Sequence, residues 1–304
     1  MATVFVSRAL PGDALERLRA AHAVTVWGEA LPPPPEALRE AVGSAEGLLC
    51  LLTDRVDAAL LDAAPRLRAI ANYAVGTDNI DLELTAARGI PVGVTPDVLT
   101  EATADLAFAL LLAAARRLPE ASAAARAGLW RTWEPAGWLG ADVDGATLGI
   151  IGFGRIGRAV ARRAAGFRMT VVTTADTPLE ELLAASDFVT LHCPLTPLTH
   201  HLIDAAALAR MRPNAILVNT ARGGVVDQRA LIEALERGVI AGAAIDVTDP
   251  EPPPPNDPIF ATANLIVSPH IGSATRSARA RMTELAVENL LAALDGRPMP
   301  HPAR

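Results

Sequence analysis

The sequence contains no lysine, so all 27 of its basic side chains are arginine. This absence excludes a Schiff-base lysine for pyridoxal phosphate or aldol chemistry, and it excludes the lysine of a Walker A phosphate loop. The 304 residues also include a single tyrosine, Tyr73. The tyrosine and lysine pair on which short-chain dehydrogenases depend therefore cannot be formed.

Cysteine is scarce as well, since Cys50 and Cys193 are the only two and lie far apart in the chain. Without a C-x-x-C pair, the sequence indicates neither a disulfide framework nor a cysteine-based zinc site, and we expect no metal site. Such cysteine usage fits a reducing compartment, so we expect the protein in the cytoplasm. Residues 1–10 carry an arginine where a signal peptide has its apolar run, and they are typical of a first strand.

An excess of positive charge is also missing, because the formal net charge is -7. A nucleic acid or an anionic membrane attracts a basic surface, so neither is expected as a partner. The most apolar run, residues 106–115, has about half of the roughly 20 residues that a membrane-spanning helix needs. With 51% hydrophobic and 20% charged residues, the chain has the composition of a folded globular protein.

Short apolar runs typical of strands alternate with helical stretches rich in alanine and leucine. This alternation predicts an α/β protein whose helices cover both faces of parallel sheets. One compact series fills the first third of the chain, and a second series begins at residue 147. Six strands with intervening helices are what a doubly wound dinucleotide fold requires. In the second series they are predicted near residues 147–151, 169–173, 187–192, 215–219, 241–245 and 264–267.

Two helices complete the predicted organisation. The nearly all-apolar helix predicted at residues 99–117 must be buried, and we expect it between two domains or two subunits. The helix predicted at residues 283–294 lies beyond the sixth strand, so we expect it to return to the first domain. The sequence thus predicts two Rossmann-like, doubly wound domains, one formed by residues 1–97 with 283–304 and the other by residues 98–282.

The strongest local motif is G-x-G-x-x-G, formed by Gly152, Gly154 and Gly157 after an apolar strand and at the start of a helical stretch. Its first glycine permits the tight turn, the second lets a pyrophosphate approach the backbone, and the third lets the helix pack on the strand. The helix N-terminus then offers N–H groups and the positive end of its dipole to the phosphates. In this context the motif predicts a dinucleotide site.

Asp176 follows the second strand of this series, where an acidic residue would bind the adenosine ribose and repel a 2′-phosphate. No arginine lies between Arg168 and Arg210 to bind such a phosphate. The pattern therefore favours NAD(H), although Asp176 could instead only begin the next turn.

Taken together and in order, six segments of the chain resemble the D-isomer-specific 2-hydroxyacid dehydrogenases, in particular their glyoxylate and hydroxypyruvate reductase branch. They are residues 71–81, 148–157, 191–196, 219–224, 246–252 and 268–272. The resemblance implies reduction of a small 2-oxo acid to the D-2-hydroxy acid with NAD(P)H, in a cleft between the two domains. It also implies a homodimer, with residues 106–115 and 130–138 at the interface.

The resemblance implies three catalytic residues. Arg222 would bind the substrate carboxylate through its planar, permanently charged fork and polarise the carbonyl. His270 would give a proton to the carbonyl oxygen or remove it, which imidazole can do near neutral pH. Glu251 would orient the histidine and favour its protonated form. The backbone of Val75 and Gly76 would bind the substrate carboxylate beside Arg222.

The remaining implied site residues surround the cofactor. Arg155 and Ile156 would offer N–H groups to the pyrophosphate, while Thr103 and Asp246 would approach the nicotinamide. Others implied near the cofactor are Cys193, Pro194, Thr199, Thr220, Ala221 and Gly272. His192, His200 and His201 are interpreted as exposed or structural, because two adjacent histidines do not readily face one site.

The ribose strand departs from the family pattern. NAD-using members commonly have aspartate where Ala175 stands, and NADP-using members commonly have arginine where Asp176 stands, so NADP(H) is not excluded. Within the family, the alternatives are a phosphoglycerate, D-lactate or phosphite dehydrogenase. From another class, the alternative is an NAD-sensing corepressor-like binding protein, which would bind cofactor with negligible turnover.

Overall fold

The computed structural model describes residues 1–303, which form two compact units. The first unit contains Met1–Leu99 and the segment from Ala274 onward, and the second contains Thr100–Ser273. Each unit is built on its own parallel sheet with helices packed against it. The fold is therefore α/β and Rossmann-like in both units, as the alternation of the sequence predicts.

The first unit has a five-stranded sheet in the order β2-β1-β3-β4-β5, with every neighbouring pair parallel. Its strands are buried apolar runs, with β2 at the edge more exposed. Its strands are β1 (Thr3–Val6), β2 (Ala23–Val26), β3 (Gly47–Cys50), β4 (Ala69–Asn72) and β5 (Val92–Gly93). The helices before the second unit are α1 (Ala14–Ala21), α2 (Pro35–Val42), α3 (Ala58–Ala63) and α4 (Leu82–Ala87).

The last helix, α11 (Arg276–Leu294), packs on α1, β3 and β4 and so belongs to the first unit. It begins at Arg276 rather than at residue 283, because the side chain of Thr275 caps it by accepting a hydrogen bond from the N–H of Ala278 at 3.1 Å. Its first turns are rich in arginine, so the apolar pattern did not reveal them. The segment from Ala274 onward, which contains α11, clusters with Met1–Leu99.

The second unit has a six-stranded parallel sheet in the order β11-β10-β9-β8-β6-β7. The order reverses at β6, which pairs with β7 on one side and β8 on the other. In such sheets ligands bind outside the carboxyl ends of the strands at this reversal. The strands are β6 (Thr147–Ile151), β7 (Thr170–Thr173), β8 (Phe188–Leu191), β9 (Ile216–Asn219), β10 (Gly242–Ile245) and β11 (Leu265–Val267).

Helices cover this second sheet and complete its core. They are α5 (Thr100–Ala115), α6 (Leu118–Arg126), α7 (Arg155–Ala165), α8 (Leu179–Ala185), α9 (Ala205–Arg210) and α10 (Gln228–Glu236), with two short 3₁₀ helices, Gly223–Val225 and Pro258–Phe260. The apolar pattern predicts neither α4 nor α6. Helix α6 has no buried residue, so it carries no core-facing stripe.

The apolar helix α5 is buried by its own unit, where it packs on α7, β9 and β10. Ala104, Phe108 and Leu111 lie in one core cluster with Val160 of α7. This packing explains the apolar character of most of the helix without a second subunit. Within residues 1–303, no helix combines the length and apolar character that crossing a membrane requires.

Candidate active site

The glycine-rich loop follows β6 at the reversal of the strand order. Gly152 has φ of 93°, and a β-carbon there would lie only 2.5 Å from the backbone N of Cys193. A β-carbon on Gly157 would collide with the carbonyl oxygen of Gly152. These two glycines therefore allow the loop to pack against the end of β8 and allow α7 to start close to the loop.

The middle glycine of the motif, Gly154, lies at an open surface, unlike Gly152 and Gly157. A β-carbon there would have no atom within 4 Å, and the residue is exposed. It directly precedes α7, whose N-terminus has no side-chain cap and whose first turn includes Arg155 and Ile156. A helix of this length presents N–H groups and a positive dipole end at an open surface, which fits the diphosphate of a dinucleotide.

At the end of β7, the hydroxyl of Thr174 accepts a hydrogen bond from the N–H of Gly152 at 3.2 Å. The exposed carboxylate of Asp176 accepts one from the hydroxyl of Thr173 at 3.2 Å. Asp176 therefore lies two residues beyond the threonine that contacts the glycine-rich loop. Sequence reasoning missed Thr174, whose role is visible only once β6 and β7 are paired.

The side chains of His270 and Glu251 contact each other directly in the second unit. Nδ1 of His270 lies 2.5 Å from Oε1 of Glu251, and Oε2 accepts a hydrogen bond from the N–H of Thr248 at 3.3 Å. The imidazole is 27% exposed, so a ligand can reach it while Glu251 fixes its orientation. This geometry leaves the other ring nitrogen of His270 to exchange a proton with a ligand.

Asp246 holds the loop on which His270 stands. Its carboxylate accepts hydrogen bonds from the hydroxyl of Ser268 at 2.5 Å and from the N–H groups of Ile271 at 2.8 Å and Gly272 at 2.7 Å. Burial raises the pKa of Asp246, and these hydrogen bonds oppose the rise. The side chain thus fixes a turn in which His270 has φ of 53°, a conformation that non-glycine residues rarely adopt.

The resemblance implies that Thr103 and Asp246 approach the nicotinamide and that Gly272 lies near the cofactor, and in the structure these three residues lie together. A β-carbon on Gly272 would be 3.3 Å from Oδ2 of Asp246 and 3.4 Å from Cγ2 of Thr103. All three are buried. The carboxylate of Asp246 already accepts hydrogen bonds from the loop that carries His270. Asp246 therefore acts as a positioning residue.

Arg222 follows β9 and is partly buried, and its Nη1 donates to the carbonyl oxygen of Ala221 at 2.8 Å. The buried Asn219 shapes this turn, because its side chain donates to the carbonyl oxygen of Arg222 and accepts from the N–H of Ala221. The next residue, Gly223, packs against the backbone of Thr248. The segment with Arg222 therefore rests directly on the segment that leads to Glu251.

Sequence reasoning assigned no role to Asn219 or to the close packing of Gly223. An amide residue at the end of a buried apolar strand was the available signal for Asn219. Nothing in the sequence pattern connects Gly223 with Thr248, since that contact depends on β9 and β10 lying side by side.

The other residues implied near the cofactor follow β8 and β9. Cys193 is buried, and burial raises the pKa of its thiol, while Pro194 is exposed. The hydroxyl of Thr199 donates to the carbonyl oxygen of Pro194 at 2.6 Å and so closes the turn after β8. Thr220 and Ala221 are buried immediately after β9.

Val75 and Gly76 lie in the first unit, in a loop after β4. The side chain of Asn72 donates to the carbonyl oxygen of Gly76 at 2.9 Å and to the side-chain oxygen of Asn79 at 3.0 Å. Asn79 in turn donates to the carbonyl oxygen of Leu51 at 3.0 Å. The two asparagines, which sequence reasoning did not single out, therefore fix both ends of this loop, and Val75 is 41% exposed within it.

Comparison with known proteins agrees with these features. Residues 108–272 match the family model described as the NAD binding domain of D-isomer specific 2-hydroxyacid dehydrogenases. A glyoxylate reductase from Thermococcus gammatolerans is 50% identical over 315 residues, which covers 98% of this chain and 94% of that protein.

Two solved structures extend the comparison to the fold. The TT0316 protein from Thermus thermophilus is 53% identical with a TM-score of 0.94, over 99% of this chain and 100% of that one. An NADPH-dependent glyoxylate/hydroxypyruvate reductase from Sinorhizobium meliloti, solved with NADP and malonate, is 32% identical with a TM-score of 0.88, over 99% and 96% of the two chains. The motifs, the two parallel sheets and these matches lead to one conclusion: this chain belongs to the D-isomer specific 2-hydroxyacid dehydrogenase family.

Proposed function

We propose that this protein reduces glyoxylate or hydroxypyruvate to the corresponding D-2-hydroxy acid with a nicotinamide dinucleotide. The curated relatives that match at 46–50% identity over nearly the whole chain are named glyoxylate reductases. The observation that carries the proposal is the 2.5 Å pair between His270 and Glu251, on the unit that bears the glycine-rich loop. An acid/base group and a dinucleotide cradle on one unit are what hydride transfer to a carbonyl requires.

His270 is proposed as the proton donor in reduction. Its Nδ1 faces Glu251, so Nε2 would protonate the carbonyl oxygen as the carbonyl carbon is reduced. Glu251 is proposed to keep the ring in one orientation through this contact with Nδ1. Asp246 would act through the loop, by holding His270 in place through the N–H groups of Ile271 and Gly272.

Arg222 is proposed to bind the substrate carboxylate. A guanidinium keeps its charge at any working pH and meets two carboxylate oxygens with two parallel N–H groups. Its backbone turn is fixed by the buried Asn219, so the backbone that carries the guanidinium is ordered before substrate binds. The resemblance adds the backbone of Val75 and Gly76 as further ligands of that carboxylate.

The cradle formed by Gly152, Gly154 and the start of α7 would hold the diphosphate. When bound, the reduced nicotinamide supplies the hydride that this chain lacks. We propose NAD(H) as the preferred cofactor, because the exposed carboxylate of Asp176 would repel a 2′-phosphate. The NADPH dependence of the Sinorhizobium relative makes this preference a point to test.

We also propose that the protein is a homodimer. Residues 118–139 of the second unit expose large apolar side chains to solvent, and a large apolar surface is typical of an interaction site. These side chains are Leu118, Leu129, Trp130, Trp133, Trp138 and Leu139, all at least half exposed. Sedimentation equilibrium of the wild type and of the double variant Trp130→Ser with Trp133→Ser tests this, with a shift toward monomer expected only in the variant.

A steady-state substrate panel tests the proposed activity. Glyoxylate, hydroxypyruvate and pyruvate are offered with NADH and with NADPH, while phosphite, 3-phosphoglycerate and D-lactate are offered with the oxidised cofactors. We expect the highest kcat/KM with glyoxylate or hydroxypyruvate. A higher kcat/KM with one of the other substrates would reassign the enzyme within its family. Tight cofactor binding without turnover of any substrate would favour the corepressor-like alternative.

A further inference from the structure

Two adjacent histidines and an aspartate come together on the surface of the second unit. One ligand atom from each of His200, His201 and Asp249 lies within 4.8 Å of the others. Within residues 1–303, this is the group of three such side chains that could surround a metal ion. Both histidines are exposed, as expected, but their rings lie on the same side of the turn.

The backbone explains why both rings turn to the same side. His201 has φ of 51°, in the left-handed region, so its side chain does not alternate with that of His200 as it would in an extended chain. The two imidazoles stack with ring centroids 4.0 Å apart and an angle of 25° between their planes.

All three residues stand on a tethered backbone. The N–H of His200 donates to the carbonyl oxygen of Thr196 at 2.9 Å, and that of His201 donates to the carbonyl oxygen of Gly224 at 2.8 Å. The N–H of Asp249 donates to the side chain of Gln228 at 3.2 Å. The site is therefore built by two segments that the fold has already fixed, and only exposed side chains need to move.

We propose that these three residues bind one divalent transition-metal ion of the zinc class. Neutral imidazole and carboxylate are ligands that Zn²⁺ prefers, at about 2.0–2.2 Å. Tetrahedral ligands at that bond length lie about 3.3 Å apart. Rotation of exposed side chains can close the remaining difference from 4.8 Å, and water would fill the open position. This inference does not depend on the proposed reductase activity.

The metal would cross-link the turn after β8 with the segment that leads to Glu251, since Asp249 lies two residues before it. The contact of Gly224 reinforces this link, because a β-carbon on Gly224 would be 3.4 Å from Oδ2 of Asp249. The site would therefore stabilise the folded second unit when the ion is bound.

The test is calorimetric titration of untagged, EDTA-treated protein with ZnCl₂. We expect one equivalent of Zn²⁺ to bind to the wild type. The single variants His201→Asn and Asp249→Asn should bind it at least about tenfold more weakly, since loss even of outer partners of a metal costs 10–100-fold. Asparagine tolerates the left-handed backbone, so His201→Asn preserves the turn. Asp142→Asn, which removes an exposed carboxylate outside the cluster, is the matched control.

A thermal melt gives the second readout. ZnCl₂ should raise the unfolding temperature of the wild type and of the control, and should leave that of the double variant His201→Asn with Asp249→Asn unchanged. Equal Zn²⁺ affinity of the wild type and the double variant would overturn the proposal, and so would the absence of any binding to the wild type.

Discussion

Gly223 and Thr248 touch through their backbones, so a β-carbon on Gly223 would collide with the carbonyl oxygen of Thr248 and lie 2.7 Å from the N of Asp249. This contact joins two segments that are distant in sequence, one with Arg222 and the other leading to Glu251. We therefore predict that Gly223→Ala separates them and lowers kcat/KM by about 10²-fold, as a displacement of about 1 Å in a catalytic group can do.

Gly28→Ala is the matched control for this experiment. A β-carbon on Gly28 would have no atom within 4 Å, and its φ is not positive. Steady-state kinetics should give wild-type values for this variant. Wild-type kinetics for Gly223→Ala as well would show that the spacing of the two segments does not matter for turnover.

The pairing of His270 with Glu251 leads to a second prediction. We expect His270→Ala to lower kcat by about 10²–10⁴-fold, the usual contribution of a general acid, while cofactor affinity is largely kept. Glu251→Gln should also lower kcat, because its amide cannot balance the positive charge of the ring. Stopped-flow kinetics and fluorescence titration with NADH measure the two quantities separately.

The left-handed backbone of His270 needs its own control, because alanine is strained there. His270→Asn tolerates that backbone and still lacks the acid, so its kcat should fall as far as that of His270→Ala. A rate near that of the wild type in the asparagine variant would remove His270 from the proton transfer.

Cofactor choice yields a third prediction. Asp176→Arg replaces a carboxylate that repels a 2′-phosphate by a cation that binds it, so the ratio of kcat/KM for NADH to that for NADPH should fall. Glu181→Arg makes the same change of charge at an exposed position on α8 and should leave the ratio unaltered. An unchanged ratio in Asp176→Arg would mean that this residue does not face the ribose.

The fourth prediction concerns stability at low pH. Burial lowers the pKa of His192 to about 4, and its Nδ1 is buried without a hydrogen-bond partner in the described chain, although the residue as a whole is partly exposed. The unfolded chain takes up this proton near pH 6.5 and the folded chain only near pH 4. Above pH 6.5, His192 therefore does not change the free energy of unfolding. As the pH falls from 6.5 to 4, it lowers that free energy by an increasing amount, at most about 3 kcal/mol.

Urea unfolding of the wild type and of His192→Gln between pH 7 and pH 4 measures this effect. The free energy of unfolding should fall less steeply with decreasing pH in the variant, which keeps a hydrogen-bonding group near the hydroxyl of Thr190. Parallel curves for the two proteins would show that His192 does not resist protonation. Asp54 and Asp246, whose pKa values burial raises, are common to both proteins and cancel in the difference.

The second sheet was predictable because buried parallel strands are continuous apolar runs, and each of its six strands lies where the pattern indicated. The glycine-rich loop was predictable because Gly152 needs a backbone that other residues avoid. Helix α6 was not predictable from periodicity, since none of its residues is buried. The roles of Arg222, Glu251 and His270 came from the family resemblance, and they stay predictions.

Other features of the site depend on contacts that no local pattern encodes. The role of Thr174 depends on the pairing of β6 with β7, which brings its hydroxyl to the N–H of Gly152. The stacking of His200 and His201 depends on one left-handed residue in an exposed turn, where histidine gives little sequence signal. Such features follow from the tertiary arrangement rather than from propensity.

The turn that holds His270 is anchored at three points by a single buried carboxylate, before any ligand arrives. The turn therefore loses its conformational entropy once, when the chain folds, and does not lose it again in each catalytic cycle. The imidazole would therefore be oriented before the oxo acid binds. Little of the binding free energy would then be used to order the protein.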